Sequence, residues 1–141
     1  MYIEIKTNKY PYNFLDLLKD NPLTSFPENI PEETLNQYGV YTVINTEVPA
    51  YDPRAHVLRE SFPVKDGNIY KRNWSIENLP EDVASINQRQ ERNRLLQESD
   101  WTQTEDSPVD KNVWKTYRQA LRDISVQPGF PYNVTWPELP T

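Results

Sequence analysis

Thirteen prolines against three glycines constrain this 141-residue chain more than any other feature. Proline has no backbone donor, fixes its own φ and disfavours a helical conformation in the residue before it, so it interrupts helices and central strands. The prolines recur in short extended contexts: YPYN, SFPENIP, EVPAYDP, SFPV and QPGFPYNVTWPELP. The two longest proline-free windows are residues 81–107 and 109–127, and long helices are expected there. Elsewhere the elements must be short.

Burial then has to come largely from aromatic side chains. Hydrophobic residues make up 36% of the chain, yet it carries four Trp, nine Tyr and four Phe. That composition predicts a small core with a thin margin, for which self-association is a common remedy. With no cysteine, a disulfide framework, a thiol nucleophile and a cysteine metal site are excluded. The start MYIEIKTNKY has no apolar stretch of signal-peptide length, and no run approaches membrane-spanning length, so no membrane partner is expected and folding in a cytoplasm is. A net charge of −6 argues against a nucleic-acid partner, whose affinity would rest on phosphate neutralisation.

Along the chain the period changes once. Residues 2–6 alternate as a strand, and YNFLDLLKDN groups Phe14, Leu15, Leu17 and Leu18 in two helical turns behind a cap at Asn13. NIPEETLNQYG reads as a brief helix with Pro31 early and Gly39 as its stop. Residues 40–48, 56–62 and 68–79 then read as a β-meander, with Asp66-Gly67 marking the turn between its last two strands. These expectations define a small α+β domain over residues 1–78, built on an antiparallel sheet.

Near IENLPEDV the pattern becomes helical, with Asn78 and Glu81 at capping-box spacing. A helix is expected from Pro80 to about Ser99. Its inward stripe, Val83, Ile86, Gln90, Asn93 and Leu96, is too polar to cover a core well, so the helix either packs only at its ends or pairs through a polar seam with another copy. A second helix is expected from a cap at Ser107 through about Ser125. Val113, Trp114, Tyr117, Leu121 and Ile124 fall on one side, and Lys111, Lys115, Arg118 and Arg122 on the neighbouring one. The eight-residue joint suits an antiparallel helical hairpin with Trp101 closing its open end. The rest of the 79–141 domain is an extended tail carrying Phe130, Tyr132, Val134 and Trp136, which either wraps the helices or reaches a partner.

No reaction chemistry emerges from these residues. His56 is the single histidine and lies in an expected strand without a nucleophile beside it, so packing is its expected role. Glycines are too few for a phosphate-cradling loop. Glu98, Asp100, Glu105 and Asp106 bracket Trp101, but acids at helix ends are ordinarily solvated charges rather than a metal site or a glycosidase pair. The basic stripe reads as a solvated or salt-bridged face. No catalytic residue, metal ligand or cofactor is expected.

A resemblance adds what the patterns leave open. Arg94-Leu95-Leu96, Ser99 to Gln103, Trp114, Tyr117 to Asp123, Phe130-Pro131 and Trp136-Pro137 stand in the order of a motif set that resembles the phage tail assembly chaperone family. The likeness spans residues 92–140, and the first half is more loosely similar to tailed-phage structural proteins. The resemblance implies a non-enzymatic helper that binds a phage tail-fibre or other tail protein in the host cytoplasm and assists its folding, oligomerisation or attachment. The alternative is a permanent structural component of the virion tail. A homo-oligomer is expected. The residues expected to define the fold or bind the partner are Trp101, Trp114, Tyr117, Arg118, Leu121, Phe130 and Trp136.

Overall fold

The computed structural model describes residues 1–141, and its first strand is ended by its own last side chain. The Glu4 carboxylate accepts the backbone N–H of Lys6 at 2.7 Å and of Thr7 at 2.8 Å, together with the Thr7 hydroxyl. Those bonds fold the chain into a turn, so β1 covers Tyr2–Glu4 instead of continuing to residue 6. The returning strand β2 (Lys9–Tyr12) was not apparent from pattern. It contains Pro11 and pairs only with β1, the edge position that a proline tolerates.

Helix α1 (Phe14–Asp20) opens with a capping box in which Asn13 and Asp16 each bond the other's backbone N–H, as the sequence indicates. Helix α2 (Glu32–Gln37) ends at Gly39, whose φ of +79° favours glycine. Then come β3 (Val40–Ile44), β4 (His56–Asp66) and β5 (Ile69–Asn78), with Gly67 at φ +61° in the tight turn between the last two.

The fold is α+β, but the last three strands do not form a meander. The strand order is β2-β1-β3-β5-β4, and β3 runs parallel to β5, with Val43 opposite Tyr70 and Ile44 opposite Lys71. The stretch 45–55, which includes Pro49 and Pro53, carries the chain beyond the adjacent position. Strand β4 therefore occupies the edge, and β5 returns between β4 and β3. A parallel pair requires such a long connection, whereas a meander requires short ones.

The outermost strands also meet through side chains. The Tyr10 ring of β2 lies 6.3 Å from that of Phe62 in β4, and the Tyr10 hydroxyl donates to Glu60, which Arg72 of β5 holds by two bonds of 2.7 Å. The sheet is curled, and both its edges are engaged by this cluster. On the face bearing α1 and α2, Tyr12, Leu17, Leu35 and Val40 form the buried cluster.

The chain divides into two compact units. One comprises Met1–Pro49 with Arg59–Ser75, and the other Ala50–Leu58 with Ile76–Thr141. Residues 50–58 thus belong with the C-terminal unit rather than with the N-terminal strands. That unit contains α3 (Glu81–Glu98), a 3-10 turn at Asp100–Gln103, α4 (Lys111–Arg122) and a second 3-10 turn at Asp123–Val126.

Both long helices are capped differently from expectation. Pro80 occupies the N-cap of α3 with no side-chain cap bond, so Asn78 does not serve. Helix α4 starts three residues after Pro108, because Asp110 accepts the backbone N–H of Asn112 at 3.0 Å and of Val113 at 3.3 Å. Its carboxylate meets two N–H groups that a serine at 107 is too far upstream to reach. The Ser107 hydroxyl is buried without a partner. Asp110→Ala should lower stability by about 1 kcal/mol, while Ser107→Ala should cost far less. Urea denaturation of the two variants checks the assignment.

Candidate functional site

The inward stripe of α3 is Ala84, Gln88 and, at its end, Ser99, spaced by four and eleven residues and all buried. It is not the stripe expected from hydrophobicity. Val83, Ile86, Gln90 and Asn93 are exposed, because the smaller and more polar side chains face a neighbouring backbone that needs hydrogen bonds. That backbone is the 50–58 segment and the tail.

Gln88 is the centre of the arrangement. Its side-chain N–H donates to Asp52 Oδ2 at 2.7 Å and to the carbonyl of Pro131 at 3.0 Å. Asp52 is itself held, since its Oδ1 accepts the Arg54 backbone N–H at 3.1 Å and the Arg54 Nε at 2.9 Å. The Asp52 carbonyl accepts the N–H of Ala55 and of His56. Beside it on α3, Asn87 donates to the Arg54 carbonyl at 3.0 Å. Burial pushes the Asp52 carboxyl up, but the bonds from Gln88 and Arg54 outweigh it and hold its pKa below the ordinary value.

The tail closes over this loop. Tyr132 donates its hydroxyl to the Leu79 carbonyl at 2.8 Å, and its ring lies 6.1 Å from that of His56. Arg54 stacks on Trp136 at 5.3 Å, and Arg89 lies over Phe130 at the same distance. Gln127 and Thr135 exchange two 2.8 Å bonds, and the Asn133 N–H donates to the Gly129 carbonyl. A side-chain carbon at Gly129 would stand 2.4 Å from the Asn133 carbonyl oxygen, so this bend requires glycine. The Phe130–Pro131 bond is cis. The tail is therefore part of the unit's packing.

A second polar centre joins the two helices. Arg118 is buried in α4, and its guanidinium donates to the Leu96 carbonyl at 2.6 Å, to the Ser99 hydroxyl at 2.8 Å and to Asp100 at 2.7 Å. It adds a charged donor to the Leu96 carbonyl, which also accepts from Ser99, and places a positive charge at the negative end of the helix dipole. The basic stripe is thus divided: Arg118 points inward, while Lys115 and Arg122 are exposed. Tyr117, Leu121 and Ile124 are buried beside it, and burial raises the Tyr117 hydroxyl's pKa, with the Glu98 charge adding to the effect.

Trp101, Trp114 and Tyr117 form a continuous aromatic run, with ring centres 6.1 Å and 5.6 Å apart. Trp101 touches Trp114 yet is half exposed, so it rests on the joint instead of sealing it. Val113 is also half exposed. Of the other acids around the joint, Glu98 pairs with Arg94, and no group of three or more His, Asp or Glu side chains is arranged to hold a metal ion. Asp52, Arg54 and Gln88 are the residues that pattern missed. An Asp-Pro-Arg turn and a glutamine four residues after Ala84 were the available signals.

The geometry defines a small module in which Gln88, Asp52, Asn87, Tyr132 and Arg118 use buried or half-buried polar groups to fasten its own helices, loop and tail. Residues 85–141 match the family model described as phage tail assembly chaperone protein. The match covers most of the C-terminal unit and supports a role in phage tail assembly. No curated protein and no solved structure matches the chain. No helix is long and apolar enough to cross a membrane.

A carboxylate with a lowered folded-state pKa adds stability above the ordinary carboxylate range, and that contribution disappears as pH falls through it. From about pH 5 to pH 3, wild type should lose stability more steeply than Asp52→Asn. Urea denaturation at a series of pH values gives the comparison, and parallel curves would remove Asp52 from the account.

Proposed function

We propose that this protein is a non-enzymatic tail assembly chaperone that binds a phage tail-fibre polypeptide and assists its folding, oligomerisation or attachment. The observation that carries client binding is the apolar surface left open on the matched segment. Trp101 and Val113 are each 50% exposed, Leu139 is 65% exposed and Val126 is 79% exposed, although the polar interior of the same unit is extensively bonded. A growing fibre exposes apolar surface and strand edges before it is assembled, and a folded surface of this kind can cover them for that interval.

Self-association belongs to the same reading. The outward stripe of α3, with Val83, Ile86, Gln90 and Asn93, is exposed, with Asn93 accepting from its neighbour Arg92, and is available to a second copy. The polar pair would fix the register of such a seam, and the two helices would act together as the hairpin that presents it.

Co-expression with the tail-fibre polypeptide of the same phage tests the proposal. The expected result is soluble fibre that co-purifies with the chain, and light scattering should report more than one copy of the chain per particle. Fibre that stays insoluble and unbound would contradict client binding. A stoichiometric amount in purified virions, measured by mass spectrometry, would favour the reading as a permanent tail component.

A further inference from the structure

The N-terminal unit carries a cavity at the place where its core is left uncovered. Helices α1 and α2 have seven and six residues, and the segment between them, with Pro22, Pro27 and Pro31, forms no helix. Two short helices and an extended link do not cover the buried cluster completely. What remains is a cavity of about 140 Å³ that reaches all four members of that cluster, Tyr12, Leu17, Leu35 and Val40. Phe14, also on its wall, is 42% exposed.

Its size and chemistry select a guest. An apolar cavity of about 150 Å³ accepts a benzene-sized group; this one has a similar volume and a mixed wall, with Leu17, Ile30, Leu35 and Val40 beside the polar Asn13 and Glu28, which suits one leucine-sized side chain with a polar surround. The rim carries charge of one sign. Glu28 lines the cavity and is exposed, and the exposed Glu32 and Glu33 stand in sequence between the wall residues Ile30 and Leu35. Lys9 is already paired with Asp16 at 2.7 Å.

We infer that this cavity is a docking pocket for a client polypeptide, taking one leucine-sized side chain that is flanked by lysine or arginine. Resting on the chaperone reading, the inference assigns the N-terminal unit its own part in binding. One anchor side chain in a desolvated pocket carries much of the energy of such contacts, and the acidic rim selects its neighbours. The pocket distinguishes basic from acidic flanks, which a general apolar surface does not.

The test is a methyl NMR titration of the full chain with three blocked pentapeptides: Ala-Arg-Leu-Arg-Ala, Ala-Arg-Ala-Arg-Ala and Ala-Glu-Leu-Glu-Ala. The first should produce saturable shifts in the methyl signals of Leu17, Leu35 and Val40, the second none, and the third only weak ones. Glu28→Lys alters an exposed rim residue, and its unchanged methyl spectrum without peptide verifies the fold. It should weaken the first peptide by about threefold or more and strengthen the third. Equal responses to all three peptides, or no effect of Glu28→Lys, would overturn the assignment. Movement of the same signals on concentrating the protein alone would give the pocket to a second copy and overturn it too. A Glu28→Lys chain that fails the titration but still solubilises the fibre polypeptide would refute the pocket and leave the chaperone reading intact.

Discussion

One buried amide fastens three separate stretches of this chain. Gln88 lies on α3, and through a single nitrogen it reaches Asp52 in the loop and Pro131 in the tail. Hydrogen bonds to a charged acceptor in a buried setting are among the stronger ones, and removing one partner leaves the others uncompensated. The constraint extends outward from that point. Asp52 orders Arg54, Arg54 supports Trp136, and the loop's Ala55 carbonyl accepts the Leu79 N–H just before α3 begins. A polar stripe that would be too weak to hold a lone helix becomes an attachment site for chain segments with few apolar groups of their own.

Arg118 plays the corresponding part at the other end of α3. Its planar guanidinium meets a backbone carbonyl, a hydroxyl and a carboxylate together, a geometry that the point charge of lysine does not reproduce. Because those acceptors lie at the end of α3 and in the turn after it, one side chain fixes where α4 sits on that joint. Trp101 and Trp114 can then stay in contact while Trp101 remains half exposed. The unit gains its order from buried polar contacts, and apolar side chains such as Trp101, Val113 and Val126 remain on its surface.

This division of labour explains which features were legible in the sequence. The α+β class, the cap at Asn13, the turn at Gly67 and the extent of α3 follow from local rules, because each depends on residues close together in the chain. The parallel pairing of β3 with β5 does not, since it is decided by how far the 45–55 connection carries the chain. Gln88 could not be recognised as central, because the pattern of hydrophobicity favoured the exposed Ile86 stripe. What makes Gln88 buried is its acceptors, and they come from residues 36 and 43 positions away. Of the candidate residues, Tyr117 and Leu121 are buried as their helical spacing implies, whereas the inward turn of Arg118 depended on Asp100 and on the end of α3.

The tail offers the most direct access to the central claim, that residues beyond Gln127 are integral to the C-terminal unit and not an appendage. Thermal unfolding of a chain ending at Gln127, followed by far-ultraviolet circular dichroism, isolates that contribution. Losing the Pro131, Tyr132 and Trp136 contacts should lower the midpoint by about 10 °C or more, or abolish the cooperative transition. A truncated chain that melts at the wild-type temperature with the same cooperativity would contradict the account.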